Sequence, residues 1–174
     1  MRTRFYVSQL VASTALAGAL ALSGVTMSTA HHPDEAQYFQ IGNMTVSHAW
    51  TYETVATAHS GRVYLTIQNV GQEADRLIDV SVTFAGHAHI QGQAVDADGV
   101  VAVREFEAIE IAPAQTVTFQ PGALWIELEG MQRTFSYGDH FHMEMTFENA
   151  GTLEIDVEVE DVDDADHDHD DTSS

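Results

Sequence analysis

"GDHFHMEMTFENAGTLEIDVEVEDV", residues 138–162, is the stretch whose reading decides the fold. Side chains on a strand point alternately to two faces. Phe141, Met143, Met145 and Phe147 then share one face, and His140, His142, Glu144 and Thr146 share the other. After the turn residues Asn149, Ala150 and Gly151, a second run alternates. Leu153, Ile155, Val157 and Val159 stand against Glu154, Asp156, Glu158 and Glu160. A period of two on both sides of a turn predicts an antiparallel hairpin with one buried and one strongly acidic face.

The same period recurs upstream. "RVYLTIQN" (62–69) sets Val63, Leu65 and Ile67 against Tyr64, Thr66 and Gln68. "LWIELEG" (124–130) sets Leu124, Ile126 and Leu128 against Trp125, Glu127 and Glu129, which read as outward positions. "MTVSHAW", "RLIDVSVTF", "VVAVREFEAIEI" and "TVTFQPG" add further strands, divided by "NVGQEAD", "DADG" and "APAQ". No segment after residue 30 shows a helical stripe. Seven to nine short strands between Gly, Pro, Asn and Asp predict an all-β sandwich or barrel.

Both ends differ from this domain (44–162). Arg2 and Arg4, the apolar run 10–25 and the small residues 28–30 have the form of an export signal over 1–30. The competing reading is a retained membrane anchor. Export places the mature chain in the periplasm or otherwise outside the cytoplasm, with no integral membrane segment once the signal is cut. Residues 31–43 read as an N-terminal arm. Residues 163–174 are acidic, with Ala165 the one apolar side chain, so burial cannot offset their ordering entropy and a disordered tail is expected.

Charge narrows the function. The chain carries 27 Asp and Glu against six Lys and Arg, a formal net charge of −21. No basic patch for nucleic acid can be assembled from so few cations. Such a field favours solubility, suits a salty medium and concentrates cations without selecting one. With no cysteine, thiol chemistry, disulfides and Cys-ligated metals are excluded. No triad spacing, HExxH, phosphate loop or dinucleotide fingerprint is present, so no enzyme is expected.

The histidines are the candidates that remain. Eight of the ten fall in close pairs. His87 with His89, and His140 with His142, are His-x-His pairs. Positions i and i+2 on a strand lie about 7 Å apart, too far for the rings to stack but within reach of one ion. Imidazoles without thiolates suit Cu(II), Zn or Ni. Solvated surface histidines are the plain alternative for each pair. Met143 and Met145 face away from His140 and His142 and read as core. His31 and His32 in the arm, and His167 and His169 in the tail, are accessory ligand candidates. His48 and His59 read as ordinary residues.

The order of segments resembles the periplasmic copper chaperones of the PCu(A)C family. The matching pieces are "VSHAW", "VYLTIQNVG", "DRLIDVS", "DGVVAVR", "IEIAPAQTVTFQPGALWIELEGM" and "YGDHFHMEMTFENAGTLEIDVEV". The resemblance implies a cupredoxin-like Greek-key barrel or sandwich. It also implies Cu(I) held by two His and two Met for delivery to a metal-accepting protein such as a respiratory oxidase subunit. The implied ligand positions fall at Gln91 (or are served by His89 or His87), Val103, Trp125 and Glu127. None of Gln91, Val103 and Trp125 is a thioether or imidazole. Two expectations follow. One is a displaced site for copper or zinc built from His87, His89, His140 and His142, with help from Met143, Met145 or Glu127. The other is a structural or protein-interaction module that has lost metal binding.

Overall fold

Phe141, Met143, Met145 and Phe147 all point into the core of the computed structural model, which describes residues 37–95 and 99–161. These residues form β1 (Tyr38–Ile41), β2 (Met44–Tyr52), β3 (Ser60–Asn69), β4 (Asp75–Ser81) and β5 (His87–Val95). They continue with β6 (Val101–Phe106), β7 (Ile109–Ile111), β8 (Thr116–Phe119), β9 (Leu124–Glu129), β10 (His140–Phe147) and β11 (Gly151–Glu160). The main sheet runs β6-β5-β9-β3-β2-β11-β10-β4-β7, with β1 on β2 and β8 on β3. Every pairing is antiparallel except β11 with β2. The result is an all-β, nearly closed barrel of the cupredoxin-like Greek-key type.

Two long strands organise it. β2 and β3 pair from Met44 with Asn69 to Thr51 with Val63. The first half of β2 takes β1 on its other edge, and the second half takes β11. In the same way β3 takes β8 along 65–68 and β9 along 60–63. The changeover in β2 falls where its register breaks between Ser47 and Trp50, and His48 there has φ 50°. An inserted residue bends a strand and re-aims its neighbours. His48, read as an ordinary histidine, is therefore the residue at the bend.

Among the described residues, eleven strands stand where seven to nine were expected. "VVAVREFEAIEI" is two strands, β6 and β7. "YFQI", inside the segment read as an arm, pairs with β2 as β1. "GHAHIQG", read only as a candidate site, lies largely within β5.

The hairpin of β10 and β11 has the predicted register, from Phe147 with Gly151 to His140 with Glu158. Gly151 has φ 96°, a conformation that costs a residue with a Cβ. Asp75 ties this turn down from the start of β4. Its Oδ1 accepts from the backbone N–H of Asn149 and its Oδ2 from that of Ala150, both at 2.9 Å. Asn69, also buried, donates to the carbonyls of Glu73 and Ile111 and accepts from the N–H of Gly71. Asp75 and Asn69 thus use their polar atoms to fix loops.

Among the described residues, no helix is long and apolar enough to cross a membrane. The export signal, the accessory His31, His32, His167 and His169, and the tail lie outside the described residues.

Candidate functional site

The outward faces of β10 and β11 stand side by side. His142 is directly opposite Asp156, and His140 opposite Glu158. Asp156 reaches between the imidazoles: its Oδ2 is 3.4 Å from His140 Nδ1, and its Oδ1 is 3.9 Å from His142 Nδ1. Both rings line a cleft of about 710 Å³ with Glu144, Glu154 and Asp156. Phe84 and Phe141 also line it, and Arg133 lies over the Phe84 ring at 5.1 Å.

The other pair sits on β5. The His87 and His89 rings lie almost parallel, with centroids 5.7 Å apart and planes 22° from each other. Convergent rotamers bring them closer than the backbone spacing suggests, so the expectation that they cannot stack is corrected. His89 Nδ1 lies 3.2 Å from Glu105 Oε1 on β6. It lines a smaller cavity, about 140 Å³, with residues of β4 and β6. In the sheet order β9, β3, β2 and β11 stand between β5 and β10, and neither cavity contains residues of both pairs. Among the described residues, no group of three or more His, Asp or Glu is arranged to hold a metal ion.

Met143 and Met145 are fully buried, while His140 and His142 face solvent from the same strand. Strand alternation puts the thioethers on the side away from those imidazoles.

Glu127 departs from its reading as an exposed strand position. Its side chain is only 13% exposed. Its Oε2 accepts from Arg62 Nε at 2.9 Å and from Trp125 Nε1 at 2.8 Å. The Arg62 guanidinium also stacks over the Trp125 ring at 4.9 Å, a cation–π contact. Trp125, read as outward, is 4% exposed because Arg62 covers it. The network was not legible in the sequence. Arg62 and Glu127 are 65 residues apart and meet only through the pairing of β3 with β9.

The hydrogen bond to Glu127 holds Arg62 more firmly protonated than usual. Beside it Trp50, Tyr52 and Tyr64 form an aromatic cluster, with Trp50 and Tyr64 centroids 4.6 Å apart. Burial raises the Tyr64 phenol above its ordinary 10.0, opposed by the charge of Arg62. The folded state therefore prefers the neutral phenol. Its contribution to stability is complete below pH 10.0 and is lost as pH climbs through the raised folded value. In absorbance titrations, the phenol signal that Tyr64→Phe removes should ionise at higher pH in the folded protein than in denaturant, and denaturant stability should begin to fall in the same alkaline range. An unchanged midpoint for that signal on unfolding would contradict this.

The four positions implied by the chaperone resemblance lie on three adjacent strands. Gln91 pairs with Trp125, His89 with Glu127, and Gln93 with Val103, across the neighbouring strands β6, β5 and β9. That face offers an arginine, a tryptophan, a carboxylate and valines. Val95, directly paired with Val101, is 67% exposed, Val101 59% and Val103 58%.

Comparison with known proteins agrees with this geometry. A family model described as "Putative lipoprotein LpqE-like" matches residues 44–159. No curated protein shows significant similarity to the chain. Among solved structures, the apo PCuAC domain from PmoF1 is 26% identical. The match covers 72% of this chain and 99% of that one, with a TM-score of 0.62. The copper-bound PCuAC domain from PmoF2 is 24% identical, covers 72% and 98%, and has a TM-score of 0.61. The solution structure of Cu(I)-loaded DR1885 from Deinococcus radiodurans is 16% identical, covers 71% and 80%, and has a TM-score of 0.52. The chain is thus a distant structural homologue of PCuAC-type domains.

Proposed function

The chain belongs to the LpqE-like family, and from that membership and the β6-β5-β9 face we propose that it is an exported, non-catalytic protein-interaction module. In this reading the PCuAC-type fold is retained and Cu(I) handling is given up. The observation that carries it is the Arg62–Glu127–Trp125 network. A guanidinium held in its charged form stands among the positions that the resemblance assigns to soft-metal donors. It repels a metal cation, and Glu127, the carboxylate that could neutralise one, is already engaged. Thioether ligands, which select Cu(I), are absent from this face.

The same face supports docking. Val95, Val101 and Val103 expose apolar surface in a chain otherwise rich in carboxylates. β6 ends the sheet order, so its outer edge can add a strand from a partner. The partner class is a protein.

Cu(I) competition tests the reading. The full chain, titrated under reducing conditions against a chromophoric Cu(I) chelator, should retain no stoichiometric copper. The fourfold variant Gln91→His, Val103→Met, Trp125→His, Glu127→Met, checked for native circular dichroism, should gain about one equivalent, at least about 100-fold tighter than the wild type, since two imidazoles and two thioethers restore a soft site. Retention of one tight equivalent by the wild type, lost on Glu127→Gln, would overturn the proposal.

A further inference from the structure

We propose that His140, His142 and Asp156 form a binding site for a borderline divalent cation, Zn2+ above all, on the outward face of the β10–β11 hairpin. The site is separate from the docking face and does not depend on it. Its donor set is two imidazole nitrogens and a carboxylate, a combination that zinc takes in open sites. The geometry is close to ligation. Two donors bound to one tetrahedral ion at about 2.05 Å lie about 3.3 Å apart. His140 Nδ1 and Asp156 Oδ2 already stand 3.4 Å apart. His142 Nδ1 is 3.9 Å from Asp156 Oδ1, and its side chain is 71% exposed. The three do not stand as a ready ligand group, so binding requires the exposed His142 ring to turn toward Asp156 as the ion enters.

The frame beneath is tightly packed. His140 and His142 project from a strand whose alternate residues, Phe141 and Met143, are buried. Asp156 is held opposite His142 by the strand register. Alternation therefore fixes which face the three side chains share. Glu144 and Glu154, in the same cleft, add negative potential that draws cations in. Arg133 opposes them, but its guanidinium lies over Phe84 and Phe135, and its Nη2 is 4.0 Å from Asp139 Oδ2. The cleft of about 710 Å³ that both rings line has room beside them for water or for a donor brought by a partner. This site uses neither Met143 nor Met145, nor any residue of β5. It would discriminate against Cu(I), because it offers no sulfur.

The test is a calorimetric Zn2+ titration of the full chain. Terminal histidines are separated from the proposed site by substitution. His31→Ala, His32→Ala, His167→Ala and His169→Ala together should leave the tightest equivalent in place. His140→Ala with His142→Ala should abolish it, and Asp156→Asn should weaken it about 10-fold. Imidazole 1H–15N spectra of the unsubstituted protein supply a readout that needs no variant. At half an equivalent of Zn2+ the His140 and His142 signals should move first. If the terminal imidazoles move first and these two do not, or if the His140/His142 double variant binds Zn2+ as the parent does, the proposal is overturned. Neither result bears on the Cu(I) competition, so the two proposals fail separately.

Discussion

Asp75→Ala should lower the unfolding free energy by about 3 kcal/mol, as several N–H groups lose a charged acceptor at or near burial. Asp75 is 5% exposed and accepts from the backbone N–H groups of Arg76, Asn149 and Ala150. Two of these belong to the turn that closes the β10–β11 hairpin, so the hairpin carrying His140, His142 and Asp156 loosens with it. Asp75→Asn keeps one oxygen and should cost less, about 1–2 kcal/mol. Urea unfolding measures both. Equal midpoints for the Ala variant and the wild type would show that water replaces the carboxylate without loss. Native stability is commonly about 5–15 kcal/mol, so a loss of this size is a large fraction of the whole.

Met143→Ala and Met145→Ala form the second large effect, each about 2–5 kcal/mol from lost burial and the cavity left behind. Both side chains are fully buried, on the opposite face of β10 from His140 and His142. Met→Leu at either site conserves shape and should cost less than about 1.5 kcal/mol. Metal titrations should be unchanged by the Leu variants. A thioether acting as a ligand would give the reverse pattern, with modest stability loss and lost Cu(I) retention. Thermal unfolding and metal titration of the same four proteins therefore distinguish packing from ligation.

The alternation of β10 and β11 made the hairpin legible, because each strand has one buried face and one wet face. β5 was not legible as a strand. In "HAHIQGQAV" only Ile90 and Gly92 are buried, so the period of two is carried by an isoleucine and a hydrogen atom. β1 was hidden for a similar reason: a four-residue strand on the flank of β2 buries none of its side chains fully. At the site, the pairs His87/His89 and His140/His142 could be read from spacing. Their placement on separate parts of the sheet could not, since it depends on pairings between segments far apart in the chain. The hold of Arg62 and Trp125 on Glu127 was equally invisible, and the proposed loss of Cu(I) handling rests on it.

The parallel pairing of Trp50 with Glu158 sets the timetable of folding. A strand laid down near the beginning waits for the last one, with more than a hundred residues of chain between them. Closing so long a loop is slow. A nascent chain that stops before β11 lacks the neighbour of both β2 and β10, and so leaves open the seam between the two halves of the barrel. Final closure therefore waits for β11, and shortening the chain within that strand should cost cooperativity throughout rather than fray one edge.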